Sequence, residues 1–161
     1  MKTFNHSTRT FFILLCLLVF TTCKKEKDPV IVTLTVNTSQ LGEQLADPPG
    51  CTLSATPSSV VIFDDGNPKN FTILVKDGTE IEWEGVTSDG GDVDIKKIIY
   101  KGGTNIFDKD SIPGIDDKGK EKVKVKVKRK TALNNDYVYK IKFKVKNKEG
   151  IQMIDPKIQV N

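Results

Sequence analysis

Tyr137-Val138-Tyr139-Lys140-Ile141-Lys142-Phe143-Lys144-Val145-Lys146 sets the fold class. Tyr137, Tyr139, Ile141, Phe143 and Val145 fall on one face, and Lys140, Lys142, Lys144 and Lys146 on the other. A period of two over ten residues is the pattern of a half-buried β-strand. Just upstream, Lys122-Val123-Lys124-Val125-Lys126-Val127-Lys128 alternates in the same way, valines at odd positions and lysines at even ones. Glu80-Ile81-Glu82-Trp83-Glu84 sets Ile81 and Trp83 against three glutamates, and the β-branched run Val30-Ile31-Val32-Thr33-Leu34-Thr35-Val36 reads as a first strand. Phe71-Thr72-Ile73-Leu74-Val75, Ile95-Lys96-Lys97-Ile98-Ile99-Tyr100 and a closing stretch over residues 151–160 complete the main set, with Pro156 marking an edge or a bulge. A short strand is expected near residues 59–63.

The punctuation agrees with this pattern. Asp47-Pro48-Pro49-Gly50, Asp64-Asp65-Gly66-Asn67-Pro68, Asp77-Gly78, Asp89-Gly90-Gly91-Asp92 and Lys148-Glu149-Gly150 are turn or loop signals. Residues 102–120 read as a long loop in which 105–107 pair briefly, and no helical period appears after the first 22 residues. About seven to eight short strands with frequent turns predict an all-β sandwich. One domain is expected over residues 30–161, best defined over 70–161. With 29% charged and 37% hydrophobic residues, the chain has ordinary globular composition rather than that of a disordered tail.

Residues 1–22 read as a secretory leader. Lys2 and Arg9 precede the ten-residue apolar run Phe11 to Phe20, which is too short for a spanning helix. The run ends at Thr21-Thr22-Cys23, followed by Lys24-Lys25-Glu26-Lys27-Asp28-Pro29. The placement of Cys23 resembles a bacterial lipobox, although Phe20-Thr21-Thr22 departs from its usual Leu, small residue, Gly or Ala. The resemblance implies that Cys23 carries the lipid and that residues 23–29 form a charged tether. With no Asp after Cys23, it implies the outer membrane, and the charged tether resembles those of surface-exposed lipoproteins. Acyl chains would supply the anchoring energy, since each buried methylene is worth ~0.8 kcal/mol. Cys51 then remains alone, so no intrachain disulfide is expected, and a small buried thiol is the favoured role.

Asn135-Asp136-Tyr137-Val138-Tyr139 and the ending Ile158-Gln159-Val160 resemble the last hairpin of bacterial immunoglobulin-like domains. That resemblance implies an immunoglobulin-like β-sandwich in which Tyr137 or Tyr139 forms a tyrosine corner, its hydroxyl bonding backbone upstream. Ile154-Asp155-Pro156 more loosely resembles the uncharacterised DP-EP family, whose later Glu-Pro is absent here. Neither resemblance brings a catalytic motif.

The single histidine, His6, lies in the leader, which removes His-based triads, histidine zinc sites and His general acid–base chemistry from the rest of the chain. No phosphate-binding glycine loop is present. Asp89, Asp92 and Asp94 around Gly90-Gly91 are weak calcium candidates, with solvated loop carboxylates the favoured alternative. No cofactor is expected.

Charge is uneven along the chain. Residues 24–117 carry 9 lysines against 17 acidic residues, and residues 118–161 carry 14 basic against 4 acidic. The lysine rows, Lys124, Lys126, Lys128 and Lys140, Lys142, Lys144, form a possible basic patch for an acidic glycan or protein. A solvated strand face is the favoured alternative. In a hairpin the two rows share a face and repel; apart, one row meets Glu80, Glu82 and Glu84. The overall balance predicts no nucleic-acid binding. The expectation is a non-catalytic, lipid-anchored envelope module that binds a protein or glycan. An accessory subunit of an outer-membrane complex comes second, and a carboxylate-dependent glycan enzyme is a remote third.

Overall fold

The computed structural model describes residues 28–161; Cys23 and the leader lie outside that range. Twelve strands are present: β1 Val30–Val36, β2 Cys51–Thr56, β3 Val61–Phe63, β4 Thr72–Val75, β5 Glu80–Thr87, β6 Asp92–Gly102, β7 Ser111–Pro113, β8 Ile115–Asp117, β9 Lys120–Lys126, β10 Tyr137–Val145, β11 Gln152–Ile154 and β12 Lys157–Val160.

They form a mixed sheet in the order β2-β1-β5-β6-β10-β12-β4-β3. Its two outer strands, β2 and β3, are consecutive in the chain and joined by one turn of 3-10 helix, Ser58–Val60. The sheet therefore curls almost into a barrel. The immunoglobulin-like sandwich expected from strand count and the terminal hairpin is incorrect. That fold requires two antiparallel sheets packed face to face. Here β1 runs parallel to β5, β12 runs parallel to β4, and a continuous ladder links the strands that would have to separate into two layers.

Strand alternation positions the core as expected. Val32, Leu34, Ile81, Trp83, Ile95, Ile98, Val123, Tyr139, Ile141, Phe143 and Ile158 are buried. β5 has β1 along one side, whereas its other side meets β9 at Glu80 to Trp83 and β6 at Gly85 and Val86. Gly85 permits that change of neighbour, because a Cβ there would lie 2.8 Å from the Val93 side chain.

The segment 102–120, expected as a loop, holds β7 and β8. It also buries Ile106 and Phe107 completely, sealing one end of the barrel. Residues 59–60, expected in a strand, belong to the 3-10 turn, and the closing stretch breaks at Asp155-Pro156 into β11 and β12.

Trp83, Tyr100, Phe107, Tyr137 and Tyr139 form one aromatic cluster. Trp83 meets Phe107 and Tyr139 edge to face at 5.9 and 5.7 Å, and Tyr137 stacks on Tyr139 at 5.5 Å. The expected tyrosine corner is absent. Trp83 Nε1 donates to the Tyr139 hydroxyl at 3.1 Å, and the buried Tyr137 hydroxyl has no hydrogen-bond partner among the described residues. Both side chains are fully buried in the core.

These two hydroxyls make opposite predictions. Tyr139→Phe strands the buried indole N–H of Trp83 and is expected to cost about 1–3 kcal/mol in urea unfolding. Tyr137→Phe removes a group that is already unpaired and is expected to leave stability unchanged or raise it.

Candidate functional site

The two lysine rows have different surroundings. β9 lies against β5, not β10, so its lysines face glutamates: Glu80 is opposite Lys126 and Glu82 opposite Lys124. Lys122 lies 2.9 Å from both Glu82 and Glu84, and Lys124 lies 3.1 Å from Glu80. The hydrogen-bonding carboxylate of Glu82, then that of Glu84, holds the Lys122 ammonium well above the ordinary lysine value of 10.5. Lys128 reaches Asp108 at 4.0 Å. Of the candidate patch, Lys124 and Lys128 are thus engaged within the fold.

The β10 row has a different neighbour. β6 pairs with β10 so that Lys97 stands directly opposite Lys142, Ile99 opposite Lys140 and Asp94 opposite Lys144. Residues directly opposite in an antiparallel pair project from the same face. Lys140 reaches Asp155 at 3.5 Å, but Lys97, Lys142 and Lys144 have no ion-pair partner among the described residues. Lys96, beside Lys97, does not share this state: the first influence on it is Glu121, and with Asp94 it holds the ammonium above its usual range. Lys97, Lys142 and Lys144 therefore form a group of free cations on the β6–β10 wall. Met153 lies opposite Lys142 on the other side, adding an apolar flank. Lys97 is absent from the patch that alternation alone draws. Its signal is the doublet Lys96-Lys97, where a bulge in β6 interrupts the register and turns both lysines away from the core.

The three acidic candidates do not converge. Asp89 accepts a hydrogen bond from the Thr87 hydroxyl within the β5–β6 turn, which lowers its pKa. Asp92 lies 3.1 Å from Lys146. Partial burial of Asp94 opposes its charge, but the Glu121 amide and the Lys96 ammonium outweigh that effect and lower its pKa. Among the described residues no cluster of three metal-ligating side chains forms. The Asp89 turn borders an open cleft of about 420 Å³ that Lys146 and Lys148 also line, a mixed-charge surface rather than an oxygen cage. Cys51 is buried, and desolvation pushes its thiol up to about 11.

Comparison with solved structures gives the fold a precedent. The crystal structure of the inclusion body protein PixA from Burkholderia cenocepacia is similar over 86% of this chain and 98% of that one, with a TM-score of 0.61 and 9% sequence identity. The two share a fold. At that identity the likeness extends to architecture alone, and it agrees with the nearly closed barrel rather than with a sandwich. No protein-family model and no curated protein matches the chain. Among the described residues no helix is long and apolar enough to cross a membrane.

The Lys122 network has a defined pH signature. Because its folded pKa is raised, its contribution is fully present below the ordinary lysine value and is lost as pH rises through the folded value. Lys122→Met leaves Glu82 and Glu84 without their shared cation and is expected to cost about 1 kcal/mol at neutral pH. Chemical denaturation at stepped pH should show that gap holding up to the lysine range and closing above it.

Proposed function

We propose that this protein is a non-catalytic, lipid-anchored module of the cell envelope whose β6–β10 wall binds an anionic partner, an acidic glycan or an acidic protein surface. The observation that carries this reading is the uncompensated trio Lys97, Lys142 and Lys144. On β9, by contrast, Lys122 and Lys124 are paired with the glutamates of β5 at 2.9 to 3.1 Å. On the β6–β10 wall the fold sets two lysines opposite one another, an arrangement that costs about 0.2–1 kcal/mol in a sheet. An anion bound between them would offset that repulsion. The leader and the cysteine at position 23 support export and anchoring, and the absence of histidine beyond His6 supports a binding role over acid–base catalysis.

A second feature favours the accessory-subunit alternative. Edge strand β3 exposes Ile62 and Phe63, at 46% and 53%, beside an unpaired backbone edge. Exposed apolar edge strands are sites of strand addition by a partner. Migration of the solubilised protein on native gels as a larger complex, reduced to the single chain by Phe63→Lys, would select that reading.

Lys142→Glu separates the anion-binding role from a merely solvated face. It should raise stability by about 0.2–1 kcal/mol, since the introduced carboxylate would meet Lys97 as an opposite charge. It should also abolish retention on an immobilised sulfated polysaccharide, which in the wild type weakens steeply with salt. Unchanged retention would exclude this wall as the binding surface.

A further inference from the structure

We infer that the barrel sits on the anionic lipid headgroups of its own membrane through the loop of residues 127–136, with the β10–β11 turn pointing away. The inference rests on the anchoring reading of Cys23, and three separate observations place the loop.

The first is where the tether enters. Val30, the start of β1, is in register with Ile81 of β5, which is in register with Val125 of β9. The chain therefore enters the fold in the same lateral row from which β9 runs out into residues 127–136. Backbone hydrogen bonds join this end together: Gly78 N–H to the Val127 carbonyl at 3.2 Å, Thr131 N–H to the Val160 carbonyl at 3.1 Å and Thr104 N–H to the Asn135 carbonyl at 3.2 Å. Six residues, 24–29, separate Cys23 from Val30, and the seven Cα steps reach at most ~25 Å when fully extended. A lipid on Cys23 keeps this end, not the other, near the bilayer.

The second is charge. The segments at the tethered end, 76–79, 103–110 and 126–136, carry six basic residues against four acidic. Those at the far end, 37–50, 88–92 and 146–151, carry five acidic against two basic. The molecule is polarised along the barrel axis, with its positive end at the tether. At this end Arg129 and Lys128 share Asp108, whereas Lys126, the last residue of β9, and Lys130 in the loop have no ion-pair partner among the described residues. Each lysine close to an anionic leaflet contributes about 1 kcal/mol.

The third is the loop tip. Leu133 is 92% exposed, the most exposed of the large hydrophobic residues among those described, and it lies three positions after Lys130. An apolar tip beside free lysines suits a headgroup layer, where the lysines meet phosphates and the leucine enters the acyl boundary.

The test supplies the tether independently of Cys23. All of the described core lies between Val30 and Val160, so the chain from residue 24 contains the whole fold. A hexahistidine tag at its N-terminus holds it on nickel-chelating lipid in phosphatidylglycerol vesicles. Cys51 is buried, so a fluorophore attaches selectively at Ala132→Cys, beside the tip, or at Lys148→Cys, at the far end. Lipid-borne quencher should quench the label at 132 strongly and that at 148 little. Lys126→Gln with Lys130→Gln should weaken partition of the untagged chain onto these vesicles roughly thirtyfold, from about 1 kcal/mol per lysine. Equal quenching at the two positions, stronger quenching at 148, or indifference to both lysines overturns the seating. Acylation is read separately by metabolic fatty-acid labelling of wild type and Cys23→Ala, so failure of the anchor and failure of the seating give different results.

Discussion

The arrangement depends on how β5 divides its second side between two strands. One strand of eight residues is paired with β1 throughout, with β9 over its first half and with β6 at its end. Gly85 makes the exchange possible, because no side chain competes with Val93 where β6 approaches. Two consequences follow. β9 is held against the glutamates of β5, which neutralise Lys122 and Lys124. β6 is left to pair along β10, bringing Lys97 opposite Lys142, neither of which has an ion-pair partner among the described residues. A single close backbone approach thus decides which lysine row is structural and which is available.

Much of the secondary structure is legible in the sequence because strand faces are local. Period-two alternation identifies the buried sides of β1, β5, β9 and β10 without knowledge of any partner, and Asp-Gly, Pro-Gly and Gly-Gly pairs mark the turns. β2 obeys the same rule: Cys51, Leu53 and Ala55 point inward. Its small, weakly hydrophobic inward residues and the preceding Pro48-Pro49-Gly50 hide it. Ile106 and Phe107 are hidden for a different reason. They seal the barrel from irregular backbone, and such positions have no periodicity to display.

Topology is not legible in the same way, since alternation fixes a face but not a neighbour. A hairpin-like ending such as residues 135–160 is compatible with sandwiches and barrels alike. What separates them here is the parallel pairing of β1 with β5 and of β12 with β4, between strands distant in sequence. Those contacts depend on the direction in which a twisted mixed sheet curls, a property of the whole chain. The candidate site shows the same division. Both lysine rows are visible in the sequence, but the free one becomes distinguishable only once register assigns each lysine a neighbour.

The fold's treatment of charge then links stability to function. On β9 and β5, opposite charges alternate across the ladder, and substitution of Lys122 costs the fold. On the β6–β10 wall, like charges face one another, so loss of a lysine relieves the fold while removing the feature that would hold an anion there. A strand surface needed solely for solubility gains nothing from placing Lys97 opposite Lys142, since one carboxylate at either position would be equally soluble and more stable. A repulsive pair held on a rigid, fully paired stretch of sheet is instead suited to an external counter-charge. The barrel's polarity leaves that wall lateral to both ends, so an anchored molecule resting on its cationic loop would still present the wall to ligands in the surrounding envelope.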